Sequence, residues 1–232
     1  MAGTHKSAET SSPAGGGSQR GLLIIGGGGH GRVVAEAASL SGRFSRLLVV
    51  DPHAAAGWTF TLCPCVASET DADAQPTDWQ FIAAVGEPAL RRRLFSEFVQ
   101  KGFAPANVQH PAAIVSPSAL IGRGVAVCAG AVVATLARVG DGVIVNHNAV
   151  VEHDSETADF AHLAPGSVLA GGARLGEGSF LGSNASIRHG KSVGSGIVIG
   201  NGAAVATDIS EPGIYGGTPA RLLKMTTLPR EG

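Results

Sequence analysis

The 232-residue chain is poor in charge and in aromatic rings: 15% of it is Asp, Glu, Lys or Arg, 5% is Phe, Trp or Tyr, and there is a single Tyr. Its net charge of −1 removes the electrostatic basis for binding nucleic acid or an anionic membrane. No run of about eighteen apolar residues occurs, so no membrane-spanning segment is predicted. The only cysteines are Cys63, Cys65 and Cys128. An odd number with no CxxC spacing argues against a disulfide framework or a structural metal site, and suits reduced thiols in a cytoplasmic protein with no bound metal. Residues 1–20 are rich in Gly, Ser, Ala and Thr and lack an apolar h-region, so they read as a disordered leader and not as a secretory signal.

Glycine, by contrast, is abundant, with 34 residues, and a period of six runs from Ala113 to Asp208. Cut into sixteen blocks, this stretch has an aliphatic residue at the third position in fifteen, the exception being the β-branched Thr157; the first position is Ala or Ser in twelve. Neither a helix nor an ordinary strand keeps a strict period of six over such a length. A solenoid of short strands does, each strand turning one apolar side chain into a shared core. Three blocks per coil would stack residues eighteen apart. Thr135, His153, Gly171 and His189 then form one column, and His147, Pro165, Ser183 and Asn201 another, both at the fifth, outward-facing block position.

Before the repeat, Gly21–Ile25 is a short apolar run suited to a buried parallel strand, followed by the glycine-rich Gly26–Gly31, an Ala-rich helix from Arg32 to Leu40, and a second strand, Leu47–Val50, ending in Asp51. This is a βαβ unit whose first turn could meet a phosphate at a helix N-terminus. Phe81–Val85 reads as a third strand and Glu87–Lys101 as a basic amphipathic helix with Leu90, Leu94 and Phe98 on one face. The expected organisation is a leader over 1–20, a small Rossmann-like α/β domain over 21–111, a parallel β-helix over 112–210, and a C-terminal cap and tail over 211–232. About 90 residues before the repeat suffice for one mononucleotide-sized half and not for a full dinucleotide domain, so a nucleotide-linked small substrate fits better than a redox cofactor.

Among the outward histidines, His153 is followed by Asp154. A carboxylate beside an imidazole raises its basicity and fixes its tautomer, as a general base requires. Three readings follow: acyl transfer with His153 as base; a zinc enzyme of the γ-carbonic anhydrase kind using His147, His153 and His162; or a non-catalytic sugar-nucleotide-binding protein.

From Leu22 to Lys224 the chain resembles the bacterial NeuD/PglD-type sugar acyltransferases. The likeness rests on GGGGHG after the first strand, VVD after the first helix, AVGE before the second, HPAAIVSPSALIG entering the coils, VNHNAVVEHDSETADFAHLAPGSVLAGG within them and YGGTPARLL at the end. The resemblance implies a left-handed hexapeptide-repeat β-helix, a homotrimer with sites between subunits, acetyl-CoA as donor, and as usual acceptor the amine of a nucleotide-activated sugar. A UDP-4-amino-4,6-dideoxy-sugar is the acceptor expected; O-acylation and GDP- or dTDP-linked amino sugars are the alternatives within the family. It further implies His153 as base, Asp154 as its supporting acid and the Gly171 N–H as oxyanion donor. His162, Gly171, Ser183 and Asn201 would contact CoA, and Gly28, Gly29, His30, Asp51, Pro52 and Gly86 the sugar nucleotide. The chain departs from the pattern at Asn146-His147, at Arg188-His189 on the CoA side, and at Pro52, where some relatives carry a second acid.

Overall fold

The computed structural model describes residues 20–53, 59–60 and 63–226. The expected leader lies outside them except for Arg20, as does the expected tail beyond Thr226. Among the described residues no helix is long and apolar enough to cross a membrane.

The N-terminal domain is a six-stranded sheet of β1 (Gly21–Ile25), β2 (Leu47–Val50), β3 (Thr59–Phe60), β4 (Cys63–Val66), β5 (Trp79–Ala83) and β6 (Ala104–Pro105), in the order β3-β4-β2-β1-β5-β6. β1 runs parallel to both β2 and β5 and is buried at all five residues, which is why its sequence is an unbroken apolar run. Helix α1 (Gly29–Ser41) packs Val34, Ala35, Ala37 and Ala38 on one side of the sheet. Helix α2 (Pro88–Gln100) packs Phe95 and Phe98 on the other, against Phe81.

Three local expectations need correction. Helix α1 starts at Gly29, inside the glycine run, and not at Arg32. The third strand is Trp79–Ala83, two residues earlier than expected. The buried face of α2 is Arg91, Phe95 and Phe98, with Leu90 and Leu94 only half-buried. The helix is rotated because it is wedged between the sheet and the solenoid and sends a guanidinium, not a leucine, inward.

The repeat forms a three-sided prism of two-residue parallel strands. Face 1 carries Val108–Gln109, Ala126–Val127, Ile144–Val145, His162–Leu163, Phe180–Leu181 and Val198–Ile199, then Gly213–Gly216 with Arg221–Met225 antiparallel on its edge. Face 2 runs from Ile114–Val115 to Ala204–Val205 and face 3 from Leu120–Ile121 to Ser192–Val193. The first strand, Val108–Gln109, precedes the first sequence hexad. Strand partners are eighteen residues apart, as in Val132↔Val150↔Val168, so the expected columns exist. Third-position side chains from Val127 to Val205 are at most 4% exposed, and Thr157 hides an unpartnered hydroxyl among them.

The sixth position of every block from Gly124 to Gly202 has a left-handed φ, which explains the glycine content. Five of these corners are not glycine: Leu136, Asn148, Asp154, Phe160 and Asn184. Asn and Asp tolerate this conformation, whereas a bulky aromatic adopts it only under tertiary constraint. Phe160 plugs the N-terminal domain: its ring is edge-on to Phe95 at 5.5 Å and lies under the Arg92 guanidinium at 4.9 Å. An Arg92–Glu177 ion pair stands beside it. On the other side, α1 shares a core with Val108 and Ala126 of face 1. The N-terminal domain therefore rides on face 1 and on the edge between faces 3 and 1.

Candidate active site

His153 and Asp154 occupy the edge between faces 2 and 3, the fifth and sixth positions after Val150–Val151. The left-handed φ of 58° at Asp154 turns its carboxylate back onto the preceding ring, and Asp154 Oδ2 lies 2.8 Å from His153 Nδ1. The hydrogen bond to Asp154 raises the imidazole pKa above its ordinary value, with Glu152 adding to the effect. With Nδ1 engaged, Nε2 is the working nitrogen, and it is directed at Gly171 in the next coil. A Cβ on Gly171 would stand 2.6 Å from Nε2, so only glycine leaves the ring in this place. The Gly171 amide makes no hydrogen bond within the prism, a property it shares with several fifth positions such as Thr135 and His189, whereas at Arg123, Asp141 and Ser183 the N–H is held by a side chain one coil further on; what sets Gly171 apart is the His153 ring beside it. A ring nitrogen bonded through its other nitrogen to a carboxylate, beside an unused backbone donor, is equipped to take a proton and stabilise an oxyanion.

A second group surrounds the cleft between the N-terminal domain and face 1. Gly28 is the N-cap of α1, and nothing lies within 4 Å of a side chain built on Gly28 or Gly29, so the loop is open. His30 points from the first turn of α1 toward His162 on face 1, with ring centroids 6.4 Å apart. His162 stands edge-on to Phe180 at 5.1 Å, and its Nε2 is 3.3 Å from Asn146 Nδ2. Gly86 borders the same ring. His30 Nε2 is buried without a hydrogen-bond partner, and the buried His162 ring has the Gly86 main chain beside it. Burial, reinforced by the nearby Arg91 charge, pushes the two imidazoles down to about 4 and about 3, so both are neutral at physiological pH.

The candidate residues thus fall into two sets. His153, Asp154 and Gly171 meet at the edge between faces 2 and 3. Gly28, Gly29, His30, Gly86 and His162 meet over face 1, on the side of the triangle opposite that edge. Ser183 and Asn201 lie on the edge between faces 1 and 2, in the column of His147, where the Ser183 N–H donates to Asn201 Oδ1 at 3.0 Å. In one chain His162 is therefore not beside His153 but next to His30 and Gly86. Asp51 braces that loop from below: its Oδ2 accepts from the Gly27 N–H at 2.7 Å and its Oδ1 from the His53 N–H at 2.9 Å, while Pro52 is exposed. Arg188 and His189 are exposed at the coil above Gly171.

The outward second positions differ sharply between faces. Face 2 presents Ile114, Val132, Val150, Val168, Ser186 and Ala204, whereas face 3 presents Leu120, Arg138, Glu156, Arg174 and Ser192. A surface groove of about 440 Å³ lies on face 3 and does not include His153. Among the described residues no group of three or more His, Cys, Asp or Glu converges as metal ligands would, so His147, His153 and His162 do not share a centre within one chain. Burial pushes the Cys63 and Cys128 thiols up to about 11 and about 12, which leaves both protonated and poorly nucleophilic.

Sequence reading missed Arg91, which lies fully buried between the two domains. Within Arg91-Arg92-Arg93 it read as one of three solvated charges on a basic helix, and no pattern distinguishes it from its neighbours.

Residues 21–98 match the family model of the PglD N-terminal domain. Over its length the chain is similar to the acetyltransferase domain of PglB from Neisseria gonorrhoeae, with 37% identity and a TM-score of 0.84, covering 88% of this chain and 100% of that one; that domain has also been solved with acetyl coenzyme A. It is likewise similar to GDP-perosamine N-acetyltransferase from Caulobacter crescentus, solved with CoA and GDP-perosamine, at 34% identity and a TM-score of 0.79, covering 87% and 96% of the two chains. WeeI from Acinetobacter baumannii shares the fold at 22% identity and a TM-score of 0.77, over 87% and 99%. No curated protein matches.

Proposed function

Because the chain belongs to the PglD-type sugar acyltransferases of the hexapeptide-repeat, left-handed β-helix class, we propose that it is an acetyl-CoA-dependent N-acetyltransferase. Its acceptor is a nucleotide-linked amino sugar, with a UDP-4-amino-4,6-dideoxy-sugar expected and GDP- and dTDP-linked sugars as the alternatives. The observation that carries this reading is the His153–Asp154–Gly171 arrangement, with Nε2 beside a backbone N–H that has no other partner.

In the proposed reaction the acceptor amine attacks the thioester carbonyl carbon while His153 Nε2 takes the proton that the amine loses. The Gly171 N–H stabilises the oxyanion of the tetrahedral intermediate. As that intermediate collapses, the C–S bond breaks and the imidazolium returns its proton to the departing CoA thiolate. No protein thiol carries the acetyl group, in keeping with the protonated state of Cys63 and Cys128. Phosphates of the sugar nucleotide dock at Gly28 and Gly29, where the first α1 amides are free to meet an anion. Asp51 holds the loop open through Gly27, which supports an indirect part for it beside any contact with ribose or base.

The two sets of residues lie on opposite sides of one prism, so the acceptor that one chain binds is presented to the His153 of another. A homotrimer whose face 2 surfaces turn inward meets this need. It covers the apolar Ile114–Ala204 column, leaves the charged face 3 in water, and brings the His153 edge of one copy to the Ser183–Asn201 edge and the nucleotide loop of the next. CoA then lies between copies, contacting Gly171 of one and His162, Ser183 and Asn201 of the other.

The proposal is tested by incubating the protein with acetyl-CoA and a panel of UDP-, GDP- and dTDP-linked amino sugars, following free thiol and product mass. Thiol release that requires an amino sugar, with one acetyl group gained at nitrogen, is the expected result. Acetylation of a hydroxyl corrects the acceptor atom; binding without turnover makes the protein a non-catalytic sugar-nucleotide binder.

Replacing Asp154 by Asn tests the base more finely. The carboxylate raises the His153 pKa, so the free base appears at higher pH than it would alone. In the variant the acid limb of kcat/KM therefore moves to lower pH, and the loss of kcat is smaller than that from removing the imidazole. An unchanged pH profile removes Asp154 from the tuning role.

A further inference from the structure

Arg91 is 1% exposed, and although Glu87 acts on it through space it forms no ion pair among the described residues. Among these residues its guanidinium donates to main-chain carbonyls drawn from both domains. Nη1 donates to Val85 at 2.8 Å and to Gly86 at 2.9 Å in the loop after β5. Nε donates to Gly142 at 2.7 Å, and Nη2 to Phe160 at 2.5 Å, on the prism edge that carries the domain. A longer contact from Nη2 reaches Ala161, the residue before His162. Burying an unpaired cation is costly, and apolar packing between α2 and the prism would hold two domains together at lower cost. Phe95 on Phe160 and α1 on face 1 already supply such packing. What the planar fork adds is a fixed distance and angle between two backbone segments, which neither a lysine nor a hydrophobic side chain can impose.

The segments it joins are the Gly86 loop, which borders the cleft, and the strand that starts at His162, whose ring lies against Gly86. We propose that Arg91 is a positioning residue for the acceptor: it locks the Gly86 loop onto the prism at the level of His162 and so sets where the nucleotide-linked sugar is held. The inference rests on the acceptor assignment made above. It predicts a selective defect. Arg91→Lys keeps the charge but loses the fork, leaving several buried carbonyls unpaired. Its KM for the amino-sugar nucleotide rises about ten- to a hundredfold, while the KM for acetyl-CoA stays within about threefold of wild type. Arg92→Ala removes the Glu177 ion pair and the cation resting on Phe160 but touches neither Gly86 nor Ala161. It leaves both KM values near wild type.

Hydrogen exchange on the full-length protein decides the same point without turnover. In the wild type, residues 160–162, whose amides donate to Asp141, Ala158 and Ser179, exchange as slowly as the strands beside them. In Arg91→Lys this segment speeds up, and in Arg92→Ala it does not. Equal rises in both KM values, or the same exchange response from Arg92→Ala, would make Arg91 mere interdomain glue and overturn the inference. Fast exchange at 160–162 in the wild type would overturn it even if the lysine variant does not fold. A wild-type protein that acetylates no amino sugar defeats the acceptor assignment, and the exchange arm still reports on the Arg91 lock.

Discussion

Replacing His153 by Ala lowers kcat by about two to four orders of magnitude, the usual worth of a positioned general base together with the orientation it provides. The KM values for acetyl-CoA and the sugar nucleotide are expected to change by only a few-fold, because the residues proposed to bind both lie elsewhere. Thermal stability is unaffected: the ring is more than half exposed, and it contributes to no core. Steady-state kinetics on the purified variant decide the matter, and near-normal turnover removes His153 from the chemistry. A defect confined to KM would recast it as a binding residue.

Gly171→Ala is expected to be nearly as damaging while adding a single methyl group. That methyl would stand 2.6 Å from His153 Nε2 and 2.7 Å from its Cε1. The atoms it meets are the far end of a side chain free to swing outward, so the protein folds and melts as wild type. The swing carries Nε2 away from the acceptor amine and strains its bond to Asp154. Misplacement of a catalytic group by about 1 Å costs on the order of a hundredfold in rate, and the Gly171 amide is partly screened as well. The effect acts through His153, so it is not additive with loss of that ring. In a His153→Ala background, Gly171→Ala costs only a few-fold more, the share owed to the oxyanion donor. A full second loss would mean the two residues act independently and that the close approach of Nε2 to Gly171 has no catalytic meaning.

The prism was legible in the sequence because its physics is periodic. One aliphatic residue in six points to a solenoid, and the eighteen-residue stacking that placed His153 below Gly171 follows once three hexads per coil are taken from the hexapeptide-repeat class that the sequence resembles. The glycines at block ends anticipated the left-handed corners, and Asp154 showed its partner by adjacency. What was not legible depends on contacts between distant segments. Phe160 looks like an ordinary loop aromatic until the N-terminal domain is packed on it. Arg91 looks like its two arginine neighbours, since five carbonyl partners leave no trace in composition or period. The rotation of α2, which buries Arg91 in place of Leu90, follows from that same packing. The surroundings of His162 were illegible for a related reason: hexad position gives the face of the prism, not what covers that face, so its packing against His30 and Gly86 shows only in the fold. Asp51 has the spacing of a ribose ligand, and that its oxygens also accept from the Gly27 and His53 amides is something no linear pattern displays.

The separation of the Gly28-Gly29-His30 loop, the proposed nucleotide site, from the His153 edge leads to the most demanding test. Take His153→Ala chains, which retain an open loop, and Gly29→Trp chains, which retain the base but fill the loop and raise the KM for the sugar nucleotide. Each homo-oligomer alone is close to inactive at low acceptor concentration. Co-expressed with distinct tags and purified through both, the mixed oligomers are predicted to recover a substantial fraction of wild-type thiol release, because some sites pair an intact His153 edge with an intact loop from the neighbouring copy. Mixed oligomers no more active than their parents would contradict the composite site and return both functions to a single chain.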